Sequence, residues 1–509
     1  MAGVSVDGVS QNALVPHDSD VSMEAGGQGP SVGLRTNVAS GVRWGIIVSI
    51  ATQVGRIAFM LALMRLLGPR NFGIVGQAAV IIAVAQIFVH FGLATSIVQR
   101  PQLDHNEIGT AFWLNVAVGL VLAILVVFSA PILSAFFKTE ELTTVLQVLS
   151  LSLILRSVAL VPSALLTRNM QFRSLGIIEV AGTFISGIVG IGAAAVGAGY
   201  WALVIQTVSL EAICLLLVLY INGLPDLHWS AATARSLWSF SSRILGADLV
   251  NYVSGNLDKV VVAKFLGATA LGLYSLAFRI LQLTLSVCTQ VGRVILPTLA
   301  RLQGDRERLA RAFLSITESV SLAVFPAMIL TILIAPVAVP AVVGEAWADA
   351  VLPLQLISAM TIPWILISFM GPLTVAVGRA DWEFYWSILN MLAMIVVIPI
   401  GLRWGIVGVA TAYLIMLSIL TPVRFAIIQR LIPISVRAYS RALAPASVSS
   451  LVLAAVWLLT DVLLQGKANQ LLIILAASVT GGVAYMVAFK LVWPDDFRRE
   501  LEFARLVLR

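Results

Sequence analysis

The chain has 509 residues, of which 59% are hydrophobic and only 11% are charged, and its formal net charge is +7. Because an ordinary soluble domain carries about 25% charged residues, this composition excludes a typical soluble globular protein and indicates a membrane-embedded one. The apolar residues form long runs, which favour spanning α-helices over the alternating segments of about ten residues that build an outer-membrane barrel.

The chain begins with a polar stretch and continues with apolar segments. Residues 1–34 are rich in glycine, serine and valine, lack the apolar run of a secretory signal, and are predicted to form a disordered cytoplasmic tail. About fourteen segments follow, each long enough to cross about 30 Å of hydrocarbon at 1.5 Å per residue. Their predicted bounds are 42–66, 74–98, 109–136, 142–166, 174–198, 200–222, 236–265, 270–297, 312–342, 351–377, 382–401, 404–430, 438–460 and 470–493.

The order of these segments predicts two lobes of six helices each, an N-terminal lobe at 35–225 and a C-terminal lobe at 226–432. Transmembrane helices 13 and 14 follow at 433–494, and a cytoplasmic tail occupies 495–509. The loops are mostly shorter than about fifteen residues, which leaves no room for a soluble catalytic domain.

A weak internal repeat supports the division into two lobes. A Leu-Gly pair followed five residues later by glycine occurs at 67–73 and again, about 200 residues further on, at 266–272. Each copy joins the first two helices of a predicted lobe, and aromatic residues open the sixth helix of each lobe at 200–203 and 404–407. A duplicated helical unit is a common way to build a transporter whose substrate site lies between the two halves.

Basic residues in the loops predict the orientation in the membrane. If the N-terminus is cytoplasmic, the cytoplasmic segments hold roughly three times as many arginines and lysines as the opposite side, in agreement with the positive-inside rule. We therefore predict a multi-pass protein of the bacterial cytoplasmic membrane with both termini in the cytoplasm. Since loop arginines have this role, the net charge gives no indication of nucleic-acid binding.

Two loop motifs carry a family resemblance that covers about residues 38–495. The sequence RLLGPRNFG at 65–73, and NLDK at 256–259 ahead of FLG at 265–267, resemble the polysaccharide-transporter family of Wzx-type flippases. That family shares a superfamily with the peptidoglycan lipid flippase and the multidrug exporters. The resemblance implies an all-α polytopic fold with two six-helix lobes in a V around a central cavity, followed by two C-terminal helices.

The resemblance also implies a function. It points to a secondary transporter that moves a lipid-linked oligosaccharide of the undecaprenyl-diphosphate type across the membrane, by alternating access, for exopolysaccharide, capsule or lipopolysaccharide biosynthesis. Its partners would be this substrate, membrane lipid and a polysaccharide polymerase, with the chain itself a monomer.

Charged and polar side chains within the predicted spans are the candidate functional residues, because an ionised group at the bilayer centre costs about 2.5–3.5 kcal/mol on insertion scales. Many recur at spacings of three and four residues, which place them along one face of a helix. The predicted cationic cavity contains Arg56, Arg156, Arg243, Arg279 and Arg293, with Gln53, Asn251 and Gln282 as polar neighbours.

The depth of the arginines suits an anionic headgroup. Arg56, Arg156 and Arg279 lie near the middle of their spans, whereas Arg243 and Arg293 lie nearer the cytoplasmic ends. A guanidinium presents paired donors that match phosphate oxygens, so these residues are predicted to bind the diphosphate. In the alternative interpretation the same arginines are structural ties between helices, paired with Asp248, Asp258 or Glu318.

The intramembrane acids leave further alternatives open. Asp258 and Asp248 are candidates for coupling transport to a cation, since buried carboxylates can titrate near neutrality. Alternatively, Asp258 forms a fixed ion pair with its neighbour Lys259. Glu179 and Glu211 lie alone on otherwise apolar helices, where they are either coupling groups or interhelical hydrogen-bond partners.

Other chemistries are disfavoured by the sequence. No G-x-x-x-x-G-K-[ST] motif is present, so the chain is not expected to hydrolyse ATP, and no cofactor or metal is expected with only two cysteines. The alternative of a small-molecule exporter is disfavoured because arginines repel cationic drugs. A membrane polymerase or ligase is disfavoured by the short external loops, so we expect the protein not to be an enzyme.

Overall fold

The computed structural model describes residues 30–90, 97–98, 105–225, 228–301, 305–466 and 469–508, and every regular element in these residues is helical. The predicted tail at 1–34 lies almost wholly outside them. The helices are α1 (Pro30–His90), α2 (His105–Phe137), α3 (Leu142–Arg168), α4 (Phe172–Ala195), α5 (Trp201–Asn222), α6 (Ala231–Arg301), α7 (Arg306–Val343), α8 (Val351–Ala376), α9 (Ala380–Gly401), α10 (Gly405–Gln429), α11 (Val436–Leu464), α12 (Gln470–Val492) and α13 (Pro494–Leu508).

Two of the helices contain a sharp interruption at a glycine. Gly68 in α1 has φ 71° and ψ 170°, and Gly267 in α6 has φ 84° and ψ −177°. Only glycine adopts such angles at low cost, so both residues break the helix between two predicted spans. These are the two Leu-Gly copies of the internal repeat, and they have the same backbone conformation.

The two glycine turns contact each other directly. A Cβ atom built on Gly73 would lie 1.7 Å from the carbonyl oxygen of Ala268, and one built on Gly272 would lie 2.0 Å from the carbonyl oxygen of Pro69. These distances leave no space for a side chain, so the glycines allow the two predicted lobes to approach backbone to backbone. We call this contact the glycine seam.

Hydrogen bonds near the glycine seam tie α1 to the second half of the chain. The indole nitrogen of Trp347 donates to the carbonyl oxygen of Met64 at 2.9 Å, and Arg65 donates to the carbonyl oxygen of Ala341 at 2.9 Å. Trp347 is fully buried in a hydrophobic core that contains residues of both predicted lobes. The glycine seam therefore lies beside a packed core that both predicted lobes share.

Eleven helical stretches among the described residues are long and apolar enough to cross a membrane. Val48–His90 and Asp381–Gln429 have 43 and 49 residues, whereas about 20 residues suffice for one crossing. Large apolar side chains also lie on the surface, among them Phe128, which is 78% exposed. The chain is therefore a polytopic helical membrane protein, as predicted, while the number of fourteen crossings stays a prediction.

Candidate functional site

The charged residues within the helices of the first predicted lobe are joined across helices. Arg56 of α1 donates to Glu179 of α4 at 3.3 Å, and both side chains remain about half-exposed, at 47% and 55%. The helices approach closely here because Gly187 of α4 lies beneath the ring of Phe59. This single contact leaves most of the guanidinium donors of Arg56 free to bind another group.

Arg279 of α6 is the candidate cation of the second predicted lobe. It follows Gly267 and so lies in the second helix of its lobe, whereas Arg56 precedes Gly68 and lies in the first helix of its own. Its Nε atom is buried without a hydrogen-bond partner, and its guanidinium forms no ion pair with any described residue. Its charge interacts with that of Arg56 and with that of Lys259. Arg56 and Arg279 lie 223 positions apart in the sequence, yet they are near enough for their charges to act on each other. Among the described residues, Glu179 pairs with Arg56, and the charge of Asp258 acts on Lys259.

Arg156 has a different environment. It donates to Glu211 of α5 at 2.8 Å and to the Nε2 atom of His90 of α1 at 3.1 Å, and Glu211 is only 12% exposed. These contacts join α1, α3 and α5 in one hydrogen-bonded network. Glu211 and Glu179, whose roles the sequence leaves open, are therefore partners of two of the predicted cavity arginines.

Asp258 is almost completely buried, with 1% of its surface exposed. Its Oδ2 atom accepts a hydrogen bond from the hydroxyl of Tyr274 at 2.9 Å, and its Oδ1 atom has no partner. Lys259 instead donates to the side chain of Asn256 at 2.9 Å. Consecutive residues on a helix point in different directions, so the Asp258–Lys259 ion pair considered from the sequence does not form.

The structure says less about the remaining predicted site residues. Gln53 is half-buried on α1, and Gln282 lies exposed on α6. Four further residues lie on α6, but their side chains are outside the part of the chain that the structure describes: Arg243, Asp248, Asn251 and Arg293. Glu318 pairs at 2.7 Å with Arg499 of α13, and not with a cavity arginine.

Sequence reasoning missed one buried charge. Arg424 of α10 is 1% exposed, pairs with Glu383 of α9 and lies 4.7 Å from the ring centroid of Trp386. The signal was present, since both charged residues lie within apolar helices. One terminal nitrogen of Arg424 makes the contact with Glu383, while its Nε and other terminal nitrogen are buried without a hydrogen-bond partner. The ion pair joins α9 to α10.

The geometry separates two kinds of intramembrane cation. Arg156 and Arg424 each pair with one acid, Glu211 and Glu383, which balances the charge of each arginine within the protein. Arg56, Arg279 and Lys259 form a group of three cations, and among the described residues two acids, Glu179 and Asp258, offset part of its charge. One positive charge remains in excess. Such a group can bind an anion, because like charges in a region of low dielectric repel until a counter-charge arrives.

A protein family described as "Polysaccharide biosynthesis protein" matches residues 62–352, which is more than half of the chain. The chain belongs to this family. Its relatives include the lipopolysaccharide biosynthesis protein WzxC of Escherichia coli strain K12, which is 27% identical over 391 residues that cover 75% of this chain and 79% of WzxC. The succinoglycan biosynthesis transport protein ExoT of Rhizobium meliloti strain 1021 is 25% identical over 400 residues, which cover 78% of this chain and 80% of ExoT.

Solved structures show the same fold. The lipid II flippase MurJ in an inward closed conformation aligns with a TM-score of 0.70 at 14% identity, covering 88% of this chain and 99% of MurJ. An inward-facing multidrug transporter of the MATE family aligns with a TM-score of 0.59 at 15% identity, covering 73% of this chain and 93% of that transporter. The family resemblance predicted from the two loop motifs is thereby confirmed, together with the polytopic helical fold.

Proposed function

We propose that this member of the polysaccharide biosynthesis family is a flippase that carries a lipid-linked oligosaccharide, of the undecaprenyl-diphosphate type, across the bacterial cytoplasmic membrane. The two six-helix lobes rock relative to each other, so that the substrate cavity between them opens alternately to the two sides of the membrane. Both termini lie in the cytoplasm. Names of relatives support a role in polysaccharide transport, and the fold shared with a lipid II flippase supports movement of a lipid-linked sugar.

The observation that carries this proposal is the interaction between the charges of Arg56 and Arg279, which belong to different predicted lobes. One arginine comes from the first helix of the first predicted lobe and the other from the second helix of the second lobe. Their charges interact, and among the described residues the only acid bonded to either is Glu179. A diphosphate offers several anionic oxygens, which would accept hydrogen bonds from both guanidinium groups. Its negative charge would also offset the repulsion between the two arginines. Lys259 adds a third positive charge beside Arg279.

Asp258 is the proposed group that couples transport to a cation. Its free Oδ1 atom is buried next to the predicted lobe interface and is bonded by no described residue. A carboxylate with an unused acceptor can take up a proton or bind a sodium ion without breaking an existing ion pair.

The test uses arginine variants in cells. When Arg56→Ala and Arg279→Ala are combined, polysaccharide output should fall and the lipid-linked intermediate should remain on the cytoplasmic leaflet, with normal amounts of protein. Each lost charge-assisted contact to phosphate removes about 1.5–3 kcal/mol of binding, or roughly ten- to a hundredfold in affinity. Arg403→Ala, at an exposed arginine outside the group, is the matched control and should export normally.

Other outcomes point elsewhere. Normal export by the double variant would show that the two arginines do not bind the substrate during transport. Loss of polysaccharide with the intermediate already on the outer leaflet would replace the flippase by a polymerase acting after transport.

A further inference from the structure

A polar cavity of about 340 Å³ lies beside the glycine seam, away from the intramembrane arginines. Its lining comes from both predicted lobes. Arg70, Lys138 and Glu141 belong to the first, and Lys264 and the backbone at 267–269 belong to the second. In the predicted topology this cavity faces the periplasm, because the seam follows the first span of each lobe.

The cavity carries an excess of positive charge. Three cations line it against one acid, Glu141, whose Oε1 atom lies 2.6 Å from the guanidinium of Arg70. A hydrogen bond to its own backbone N–H and the contact with Arg70 lower the pKa of Glu141, so its carboxylate is ionised at neutral pH. The carboxylate–guanidinium contact shows how an external anion would be held at the same place.

Lys138 occupies a backbone position that normally belongs to glycine. It follows the last residue of α2 with φ 55°, and the N–H groups of Lys138 and Thr139 donate to the carbonyls of Ala135 and Ser134. This is the hydrogen-bond pattern of a Schellman cap, in which a left-handed glycine is favoured. A lysine there costs folding free energy, and such outliers concentrate at functional sites.

The ammonium of Lys138 is available for a ligand, because it forms no ion pair with any described residue and its side chain is exposed. Lys264 is anchored differently. Its ammonium donates to the carbonyl of Phe136 and lies 4.0 Å from the centroid of the Phe136 ring, which brings a cation of the second predicted lobe to the end of α2.

We propose that this cavity is an anion site for a carboxylate or phosphate group, with room for a single acidic sugar, and that it is complete only when the two lobes meet at the glycine seam. Arg70, Lys138 and Lys264 supply the donors. Glu141 competes with the ligand for Arg70. An anion that bridges the lobes stabilises the arrangement in which the seam is closed, since a ligand that binds one state shifts the equilibrium toward it.

The experiment uses the purified full-length chain in lipid nanodiscs, titrated calorimetrically with inorganic phosphate, glucuronate or neutral glucose. Saturable binding of both anions, without binding of glucose, is expected. Tighter binding of glucuronate than of phosphate would identify an acidic sugar as the better ligand, and the reverse order would identify free phosphate.

If the anion site is correctly assigned, the variants Lys138→Gly and Glu141→Gln should change the affinity for anions in opposite directions. Lys138→Gly should fold at least as well as the wild type, since it places the preferred residue in the cap, and should bind the anions about five- to tenfold more weakly. Glu141→Gln should bind them more tightly, because it no longer competes for Arg70. Arg403→Ala is the control for general surface charge and should leave the affinity unchanged.

Three results would overturn the proposal: no saturable binding of either anion to the wild type, equal weakening by Lys138→Gly and Arg403→Ala, or weaker binding by Glu141→Gln. The outcome is independent of the proposed flippase function, because it measures small anions and not transport.

Discussion

Gly73 and Gly272 hold equivalent positions in the two Leu-Gly motifs, and each lies against the backbone of the other motif. A side chain at Gly73 would overlap the carbonyl of Ala268, and one at Gly272 would overlap the carbonyl of Pro69. The contact is reciprocal, as expected for two halves related by an approximate two-fold axis. It identifies the glycine seam as the place where the halves meet most closely.

Substitution at the seam should be costly. Gly73→Ala forces the backbone of α1 away from Ala268, and we expect a loss of about 1–3 kcal/mol in the stability of the closed seam. Thermal unfolding of the purified protein measures this loss as a lower melting temperature. Gly192→Ala is the control, because no atom lies within 4 Å of its added Cβ, and it should be neutral or slightly stabilising. Equal melting temperatures for the two variants would show that the seam tolerates a side chain.

The buried Arg424 should matter for stability and not for substrate binding. Arg424→Met leaves the carboxylate of Glu383 without its partner, and breaking such a pair typically costs about 3–5 kcal/mol. Less folded protein should then be found in the membrane. The double variant Arg424→Met/Glu383→Met should recover most of the folded protein, since replacing both charges by apolar groups is often neutral. A double variant as depleted as the single one would contradict the assignment as a simple structural tie.

Asp258 can be neutralised without breaking a hydrogen bond of Lys259, because Lys259 donates to Asn256. Asp258→Asn keeps an acceptor for the hydroxyl of Tyr274, so normal insertion and normal protein amounts are expected. Transport driven by an ion gradient should be lost if Asp258 exchanges a cation. Gradient-driven uptake in proteoliposomes is the measurement, with Tyr274→Phe as the companion variant that retains the carboxylate. Full gradient-driven transport by Asp258→Asn would exclude Asp258 as the coupling group.

The predicted topology has a direct test at the second glycine turn. Reporter domains fused after Gly267 and after Arg306 should lie on opposite sides of the membrane, periplasmic and cytoplasmic respectively. The physical reason is length, because the part of α6 beyond Gly267 and the start of α7 enclose enough helix for one crossing. Both reporters on the same side would mean that this part of α6 does not cross.

The sequence predicts best the features that depend on residues close together in the chain. Apolar length predicted the spanning helices, and the spacing of leucine and glycine at 67–73 and 266–272 predicted a repeat whose two turns share one backbone conformation. The mid-span position of Arg56 and Arg279 comes from counting residues along each predicted span and stays a prediction.

The sequence does not predict which side chains pair between helices that are distant in the chain. Arg56 and Glu179 lie on different helices, and no spacing rule connects them, so the partner acids considered for the arginines were Asp248, Asp258 and Glu318. The direction in which Asp258 and Lys259 point depends on their neighbours, Tyr274 and Asn256, and not on their adjacency in the chain. The packing of the helices decides both the partner of Arg56 and the directions in which Asp258 and Lys259 point.

In the proposed transport cycle, Arg56 and Arg279 hold the diphosphate of a lipid-linked oligosaccharide during its passage across the membrane. The most direct measurement reconstitutes the purified chain in liposomes that carry a labelled undecaprenyl-diphosphate oligosaccharide and follows the fraction of label on each leaflet. The wild type should equalise the leaflets, and Arg56→Ala/Arg279→Ala should slow this movement at least roughly tenfold. Equal rates for the wild type and the double variant, or no movement by the wild type, would contradict the account.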